Sequence, residues 1–221
     1  MEQRTHRTSQ TSRTTLAAAG LVTLAVLLIP AVAWTRDAAQ FYGTDMGGAF
    51  LGVYLPARLM ALMGLTLMFF QFILSARLPF IESRFKRSSL LKTHRTAGKA
   101  AYLLVLLHGT GMLTFDLISS GEIFLYLENT VGLIALVLLT LAVLAAWFFK
   151  PLKLSRKHWR VIHFLTYLVF PMVVWHALAL GSTVNSVRSL QILLHVFLGG
   201  YVLILGYRLY GVVRSRAVPS K

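Results

Sequence analysis

Long runs of apolar residues, separated by short polar segments, dominate the pattern of this chain. We count six runs, and each is close to or above the roughly 20 residues of helix that cross a bilayer. They cover residues 16–34, 50–76, 97–115, 131–149, 161–180 and 190–210. Backbone polar groups in lipid must be satisfied within the segment itself, so each run is predicted to be a helix. The pattern therefore predicts an all-α membrane protein, a bundle of six transmembrane helices.

The composition agrees with this prediction. The chain has 221 residues, of which 57% are hydrophobic and 13% are charged, whereas a soluble domain carries about 25% charged residues. There is no cysteine, which excludes disulfides, thiol catalysis and cysteine-ligated clusters. The net charge of +15 would suit a nucleic-acid-binding protein, but its distribution along the chain points to membrane topology instead.

The basic residues concentrate in alternate connections between the runs. They lie before the first run, between the second and third, between the fourth and fifth, and after the sixth. The other connections hold only Arg36 and Arg188, together with most of the acidic residues. Because basic loops stay on the cytoplasmic side, we expect a multi-pass protein of the cytoplasmic (inner) membrane with both termini cytoplasmic. The predicted organisation is a disordered basic tail over 1–14, the membrane domain over 15–213 and a short cytoplasmic tail over 214–221.

Four of the seven histidines form a pattern within the apolar runs. His94 and His108 are fourteen residues apart on the third run, and His163 and His176 are thirteen apart on the fifth. Both runs cross in the same direction, so His94 is level with His163 and His108 with His176. The two levels are roughly 20 Å apart along a helix. Two bis-imidazole sites at two depths would bind two b-type haems.

Helix geometry treats the two histidine pairs differently. Fourteen steps of an α-helix return to within roughly 40° of the same face, where Gly98 and Ala101 leave space for a flat macrocycle. Thirteen steps leave His163 and His176 about 140° apart on an ideal helix. Pro171 lies between them and predicts a kink that changes this angle. Without such a distortion only one of the two histidines would be a ligand, and one haem would be bound.

Other chemistries fit the histidines less well. A zinc ion needs four ligands that converge on one site, and a proton relay uses Asp or Glu as well, none of which lies inside a run. A non-redox transporter or assembly factor would use the histidines for packing, but transporters show internal repeats and we find none. His6 in the tail, His158 in a basic loop and His195 in the sixth run carry no clear functional signal, and packing is expected for His195.

On these residues the chain resembles the ferric reductase-like transmembrane domain family, the membrane half of ferric reductases and NADPH oxidases. HRTAGKAAYLLVLLH and HFLTYLVFPMVVWH match the family spacings of fourteen and thirteen. SARLPFIESRFKRSSLLKTHRTAG and RKHWRVIHFLTY resemble the segments that lead into the third and fifth helices of bacterial members. The resemblance implies that the four histidines ligate two stacked haems b and that electrons pass outward. It also implies that the distortion of the fifth helix is a family property.

The resemblance has further implications for partners and for Arg58. Arg58 in the second run either snorkels to the outer surface or, as the family favours, pairs with a propionate of the outer haem or an anionic acceptor. We find no flavin or NAD(P)H-binding segment, so a separate cytoplasmic flavin reductase is expected as donor, with an acceptor on the outer side. A related alternative is the haem-binding membrane subunit of bacterial methionine sulfoxide reductase, which feeds a periplasmic enzyme. That subunit usually has an arginine pair where this chain has His94.

Overall fold

The architecture is helical throughout the part of the chain that the structure describes. The computed structural model describes residues 2–217 and is 84% helical. Its elements are α1 (Glu2–Ala39), a π-helical turn (Phe50–Tyr54), α2 (Leu55–Ser75), α3 (Pro79–Glu82), α4 (Arg87–Ser120), α5 (Leu127–Trp147), α6 (Arg156–Leu180), α7 (Ser182–Ser186) and α8 (Arg188–Ala217).

Six of these helical segments are long and apolar enough to cross a membrane. They are Ala17–Ala39, Phe50–Ser75, Arg87–Ser120, Leu127–Trp147, Arg156–Leu180 and Arg188–Arg214. The predicted class, an all-α protein with six membrane spans, is therefore confirmed, while the orientation of the termini stays a prediction. The third span exceeds its predicted apolar run by more residues than any of the other five spans. Its helix begins ten residues earlier, at Arg87 rather than at 97.

The first helix begins close to the amino terminus of the described chain. Residues 1–14 are predicted to be a disordered tail, but α1 begins at Glu2 and includes most of this segment. Extending an existing helix adds one hydrogen bond for each residue that is fixed, so a stable apolar helix favours propagation into polar neighbours. The boundaries of the three predicted regions stay predictions.

Four of the six spans pack as two closely associated pairs, α2 with α4 and α5 with α6. α4 packs mainly on α2, α6 packs mainly on α5, and α1 and α8 lie beside α2. Gly64 allows the close approach of α2 and α4, because a Cβ there would lie 2.8 Å from Cγ2 of Val105. Among the described residues, the backbones of α4 and α6 are not a closely packed pair. Their side chains therefore meet across a gap.

Pro171 interrupts the hydrogen bonding of α6 without ending the helix. α6 is continuous from Arg156 to Leu180 with Pro171 inside it. Proline has no N–H, so the carbonyl four residues earlier, on Tyr167, lacks its usual helical donor. The hydroxyl of Tyr201 on α8 donates to this carbonyl over 2.7 Å. A side chain of the sixth span thus replaces the missing backbone donor of the fifth.

Candidate functional site

The first histidine pair lies near the start of the two parallel spans α4 and α6. The imidazole centres of His94 and His163 are 6.3 Å apart, and the ring planes are inclined by 77°. Both side chains are half-buried. Their Nδ1 atoms are buried and have no hydrogen-bond partner. The backbone carbonyl of Gln71 on α2 lies near His94, and the indole of Trp159 stacks on His163 with ring centres 5.6 Å apart.

The second pair lies fourteen residues further along α4 and thirteen further along α6. His108 and His176 also have ring centres 6.3 Å apart, with planes inclined by 62°. Here both Nδ1 atoms have partners. Nδ1 of His108 is 3.1 Å from the carbonyl oxygen of Ala57, and Nδ1 of His176 is 2.8 Å from that of Glu128. A carbonyl partner fixes the Nδ1–H tautomer and leaves Nε2 as the free metal-binding nitrogen.

The structure therefore brings together the residues that the spacing predicts to be level with each other. His163 and His176 both face α4, although thirteen steps of an ideal helix would separate them widely. The prediction of two imidazole pairs at two levels agrees with this placement. Their role as metal ligands stays a prediction.

An elongated cavity surrounds the second pair. It contains about 1440 Å³ of empty space, part of which is open to the surroundings. Most of its lining is apolar and comes from α2, α4, α5 and α6. Polar groups collect at one end, beyond His108 and His176: Tyr54, Arg58, Asp116, Asn129, Ser182 and Thr183. An apolar chamber with a few polar groups at its mouth is the usual form of a cofactor or ligand site.

A glycine on α5 makes room for one of these imidazoles. A Cβ on Gly132 would lie 2.7 Å from Cε1 of His176 and 2.8 Å from its Nδ1. No side chain other than hydrogen fits there unless the imidazole moves. The sequence predicts Gly98 and Ala101 as the small residues of the site, and the structure adds Gly132 to them. Gly98 lies against the side chain of Gln71 on α2, where an added Cβ would be 3.3 Å from Oε1. Ala101 is buried in the helical core.

Arg58 belongs to a buried polar cluster in the wall of the cavity. Its guanidinium donates to the carboxylate of Asp37 on α1 and to the hydroxyl of Thr183 on α7. Thr183 also donates to Asp37 over 3.1 Å. Arg58 is only 8% exposed, so the alternative in which it snorkels to the surface is wrong. Its Nε is buried and unpartnered, and its contact with a propionate or an anionic acceptor stays a prediction.

The sequence does not predict Asp37 as a residue of the site, because the predicted apolar run ends at residue 34. The helix continues to Ala39, which places this carboxylate inside the first span. No acidic residue lies inside the predicted apolar run, but the first span is longer than that run and includes Asp37. Arg58 is the signal in the sequence that indicates such a partner. An arginine inside an apolar run needs an acidic residue nearby, because an unpaired charge is costly to bury.

The family of the chain follows from a comparison with known families. A family model described as "Ferric reductase like transmembrane component" matches residues 60–174, about half of the chain. The chain belongs to this family. The matched range includes His94, His108 and His163, whereas Arg58 and His176 lie just outside it. No curated protein matches the chain.

Membership of the ferric reductase-like family associates the chain with transmembrane electron transfer. The family is in general a haem-binding transmembrane reductase domain. The two imidazole pairs fit such a cofactor. A metal with an imidazole nitrogen about 2 Å away on each side would hold two ring centres about 6 Å apart, and both observed separations are 6.3 Å. The apolar chamber around His108 and His176 also suits haem.

His158, His195 and Trp175 lie away from this site. His195 is exposed on α8 and its Nδ1 bonds the carbonyl of Gln191 in its own helix over 2.7 Å, so the expected packing role is wrong. His158 is exposed and bonds Ser155, the residue that caps α6. Trp175 precedes His176 in the sequence, but it is 43% exposed and is absent from the described cavity lining. The side chain of His6 lies outside the described residues.

Proposed function

We propose that this protein is the membrane haem component of an oxidoreductase and carries electrons across the cytoplasmic membrane through two stacked haems b. His94 and His163 would hold the inner haem, and His108 and His176 the outer one. The observation that supports this proposal best is the repeat of one imidazole separation, 6.3 Å, at two levels of the same two helices. Each haem, when bound, would supply a one-electron carrier at its own depth.

The protein's own residues would orient the ligands and exclude water. The carbonyls of Ala57 and Glu128 direct Nε2 of the outer pair toward the space between α4 and α6. Gly132 leaves the volume that the His176 imidazole occupies. Apolar side chains such as Leu62, Leu65 and Leu139 line the chamber. A dry environment of this kind favours a tightly held macrocycle over a solvated metal ion.

The direct test is the colour and haem content of the purified protein. We expect a b-type reduced-minus-oxidised spectrum and two haems per chain. His94→Ala should remove one haem and His108→Ala the other, because each substitution removes one axial ligand from one pair. His195→Ala is the matched control, since His195 is exposed and bonds only its own helix among the described residues. A colourless preparation from haem-replete cells would refute the proposal.

Haem content also discriminates one haem from two. If His94→Ala kept the same haem content as the unchanged protein, the inner site would be disproved. The placement of His94 beside His163 favours the ferric reductase-like interpretation over the methionine sulfoxide reductase subunit, in which an arginine pair is expected at this position.

The proposed direction of transfer rests on the charge distribution. Basic connections place both termini in the cytoplasm, so a cytoplasmic flavin reductase would reduce the haem at the His94 level and an acceptor would be reduced on the opposite side. A reporter enzyme that is active only in the periplasm, fused after residue 217, should be inactive. The same reporter inserted in the connection between α4 and α5 should be active, and the reverse result would overturn the orientation.

A further inference from the structure

Unsatisfied polar atoms concentrate around the inner histidine pair. In the described chain, five buried side-chain nitrogen or oxygen atoms have no hydrogen-bond partner. One, Nε of Arg58, lies at the outer cavity. The other four are Oε1 of Gln71, Nδ1 of His94, Nδ1 of His163 and Nη1 of Arg87, whose one contact with a carboxylate among the described residues is the ion pair with Glu82. A buried polar atom of this kind is destabilising when it stays unpaired. The inner level therefore has the composition of a polar ligand site.

Arg208 on α8 brings a second guanidinium to this level. It is half-buried and donates to the hydroxyl of Tyr167 on α6 and, over 3.1 Å, to the carbonyl oxygen of Ser75 on α2. Tyr167 is one helical turn from His163. Arg208 is close enough to the His163 imidazole for its charge to act on that ring. Arg87 lies within the same range of His94. The two arginines thus approach the pair from different helices.

The positive charge at this level exceeds the negative charge that the described residues supply. Arg208 is within electrostatic range of both Arg77 and Arg87. Among the described residues, Glu82 is the carboxylate that pairs with these arginines, and its Oε1 is 3.3 Å from Nη1 of Arg87. Within the described part of the chain, the hydrogen bonds of Arg208 go to neutral groups. A partly buried cation in a membrane span without a carboxylate partner is costly, and such residues usually face a ligand or a pathway.

The outer level provides an internal comparison. There the buried cation Arg58 has its own carboxylate, Asp37, within the described chain. The inner cation Arg208 has hydrogen-bonding partners that position its guanidinium, but the described residues give it no counter-charge. A ligand that carries carboxylates would supply the missing charge, and an arginine binds a carboxylate with strong, charge-assisted hydrogen bonds.

We propose that Arg208, together with Arg87, binds the propionate carboxylates of the haem at the inner site. This inference rests on the proposed function, since it assigns the anionic groups of the ligand that His94 and His163 would hold. It identifies Arg208, on the sixth span, as a haem-binding residue outside the four-histidine pattern. It also explains why Tyr167 and the Ser75 carbonyl hold the guanidinium in place.

The test is a haem titration of the full chain, produced in haem-deficient cells and kept in detergent. Haem and haem dimethyl ester, in which the carboxylates are blocked, are added to the unchanged protein and to Arg208→Gln. We expect Arg208→Gln to weaken haem binding at the inner site at least tenfold and to leave the outer site unchanged. The ester should bind the inner site of both proteins equally. The His94→Ala and His108→Ala spectra identify which site is filled.

Arg214→Gln is the matched control, because Arg214 is exposed on the same helix. It should titrate like the unchanged protein. The midpoint potential of any inner haem retained by Arg208→Gln should fall, because a positive charge that favours the reduced state is removed. Equal haem affinity in Arg208→Gln and the unchanged protein, with two haems bound in each, would overturn this inference alone. Failure of the unchanged protein to bind haem would overturn the proposed function and this inference together.

Arg208→Lys keeps the inference testable if Arg208→Gln disturbs the fold. Lysine retains the charge but not the planar fork of donors. If Arg208→Gln loses both haems, retention of the inner haem by Arg208→Lys supports the inference. A second outcome is that Arg208→Lys loses the inner haem and keeps the outer one. If haem dimethyl ester still binds the inner site of this variant, the result supports a requirement for the geometry of the guanidinium. Loss of ester binding at the inner site of that variant would overturn it.

Discussion

At the scale of single residues, the two histidine pairs differ in what holds their rings. The outer imidazoles of His108 and His176 are oriented by backbone carbonyls. The inner Nδ1 atoms of His94 and His163 have no such bonds. Ligands that are already oriented lose less rotational freedom on binding. We therefore expect the outer site to be the better preorganised of the two.

Gly132 provides a prediction for the outer site. Gly132→Ala should displace the His176 imidazole, because the added Cβ would lie 2.7 Å from Cε1. We expect the outer haem to be lost or strongly perturbed while the inner haem is retained, as measured by haem content and difference spectra. Gly206→Ala is the control, since no atom lies within 4 Å of a Cβ there. A normal outer-haem spectrum in Gly132→Ala would contradict the assignment of His176.

The Arg58–Asp37 pair provides a prediction about stability. Asp37→Asn leaves the buried guanidinium without its counter-charge, and breaking such a pair costs about 3–5 kcal/mol. Thermal unfolding in detergent should show a large loss for Asp37→Asn. The double variant with Arg58→Gln should lose less than the sum of the two single variants, since neither charge then remains alone. Additive losses would show that Arg58 and Asp37 do not interact energetically.

Residue-level partners were the part of the site that sequence analysis predicted least well. The four histidines could be found because they are rare in apolar runs and repeat at similar spacings. Asp37 and Gly132 could not, since their importance depends on which residue they meet from another helix. Asp37 meets Arg58, which is twenty-one residues away, and Gly132 meets His176, which is forty-four residues away. Such contacts arise from helix packing and leave no local signal.

At the scale of the helices, Pro171 shows how one element depends on another. The Tyr167 carbonyl of α6 accepts its hydrogen bond from Tyr201 of α8. Tyr167 also accepts from Arg208 through its hydroxyl. The position of α8 is therefore coupled to the segment of α6 that lies between His163 and His176.

This coupling predicts a dependence between two substitutions. Tyr201→Phe should destabilise the protein by about 1 kcal/mol, since it leaves the Tyr167 carbonyl unsatisfied. In the background of Pro171→Ala, which restores a backbone N–H, the same substitution should cost much less. Unfolding of the two single variants and the double variant, with all haem content recorded, checks this. An equal cost of Tyr201→Phe in both backgrounds would show that the hydroxyl does not replace the proline's missing donor.

The number and type of elements were predictable, but their ends were not. Apolar composition identifies the part of a helix that lies in hydrocarbon. It does not identify the polar turns that extend beyond it, such as the first turns of α4 from Arg87 to His94. These turns continue because helix propagation is favourable once the apolar part has formed. They matter here, since Arg87 and Asp37 both lie in such extensions.

At the scale of the whole molecule, the charge asymmetry predicts where a donor docks. The connections at the His94 end carry most of the lysines and arginines. A positive surface speeds association with an acidic partner, and added salt weakens the effect. We expect an acidic flavin reductase to approach this end.

Neutralising two exposed lysines tests this expectation. Lys150→Gln with Lys157→Gln should slow haem reduction by the flavin reductase several-fold at low ionic strength, and the difference should shrink as salt is added. Stopped-flow absorbance measures the rate. Arg36→Gln with Arg188→Gln removes the same charge from exposed positions in the other set of connections and should leave the rate unchanged. Equal rates in both double variants would disprove docking by charge.

If the proposed haems bind, the gap between α4 and α6 would make the lifetime of the protein depend on the haem supply. These two spans meet through imidazoles rather than through closely packed backbones, so a bound macrocycle would act as an additional element of the core. A ligand that binds only the folded state stabilises it in proportion to its concentration relative to Kd. In cells short of iron or of porphyrin, more chains would open and be degraded by membrane proteases. The abundance of this protein would then follow the haem pool of the cell without any change in its synthesis.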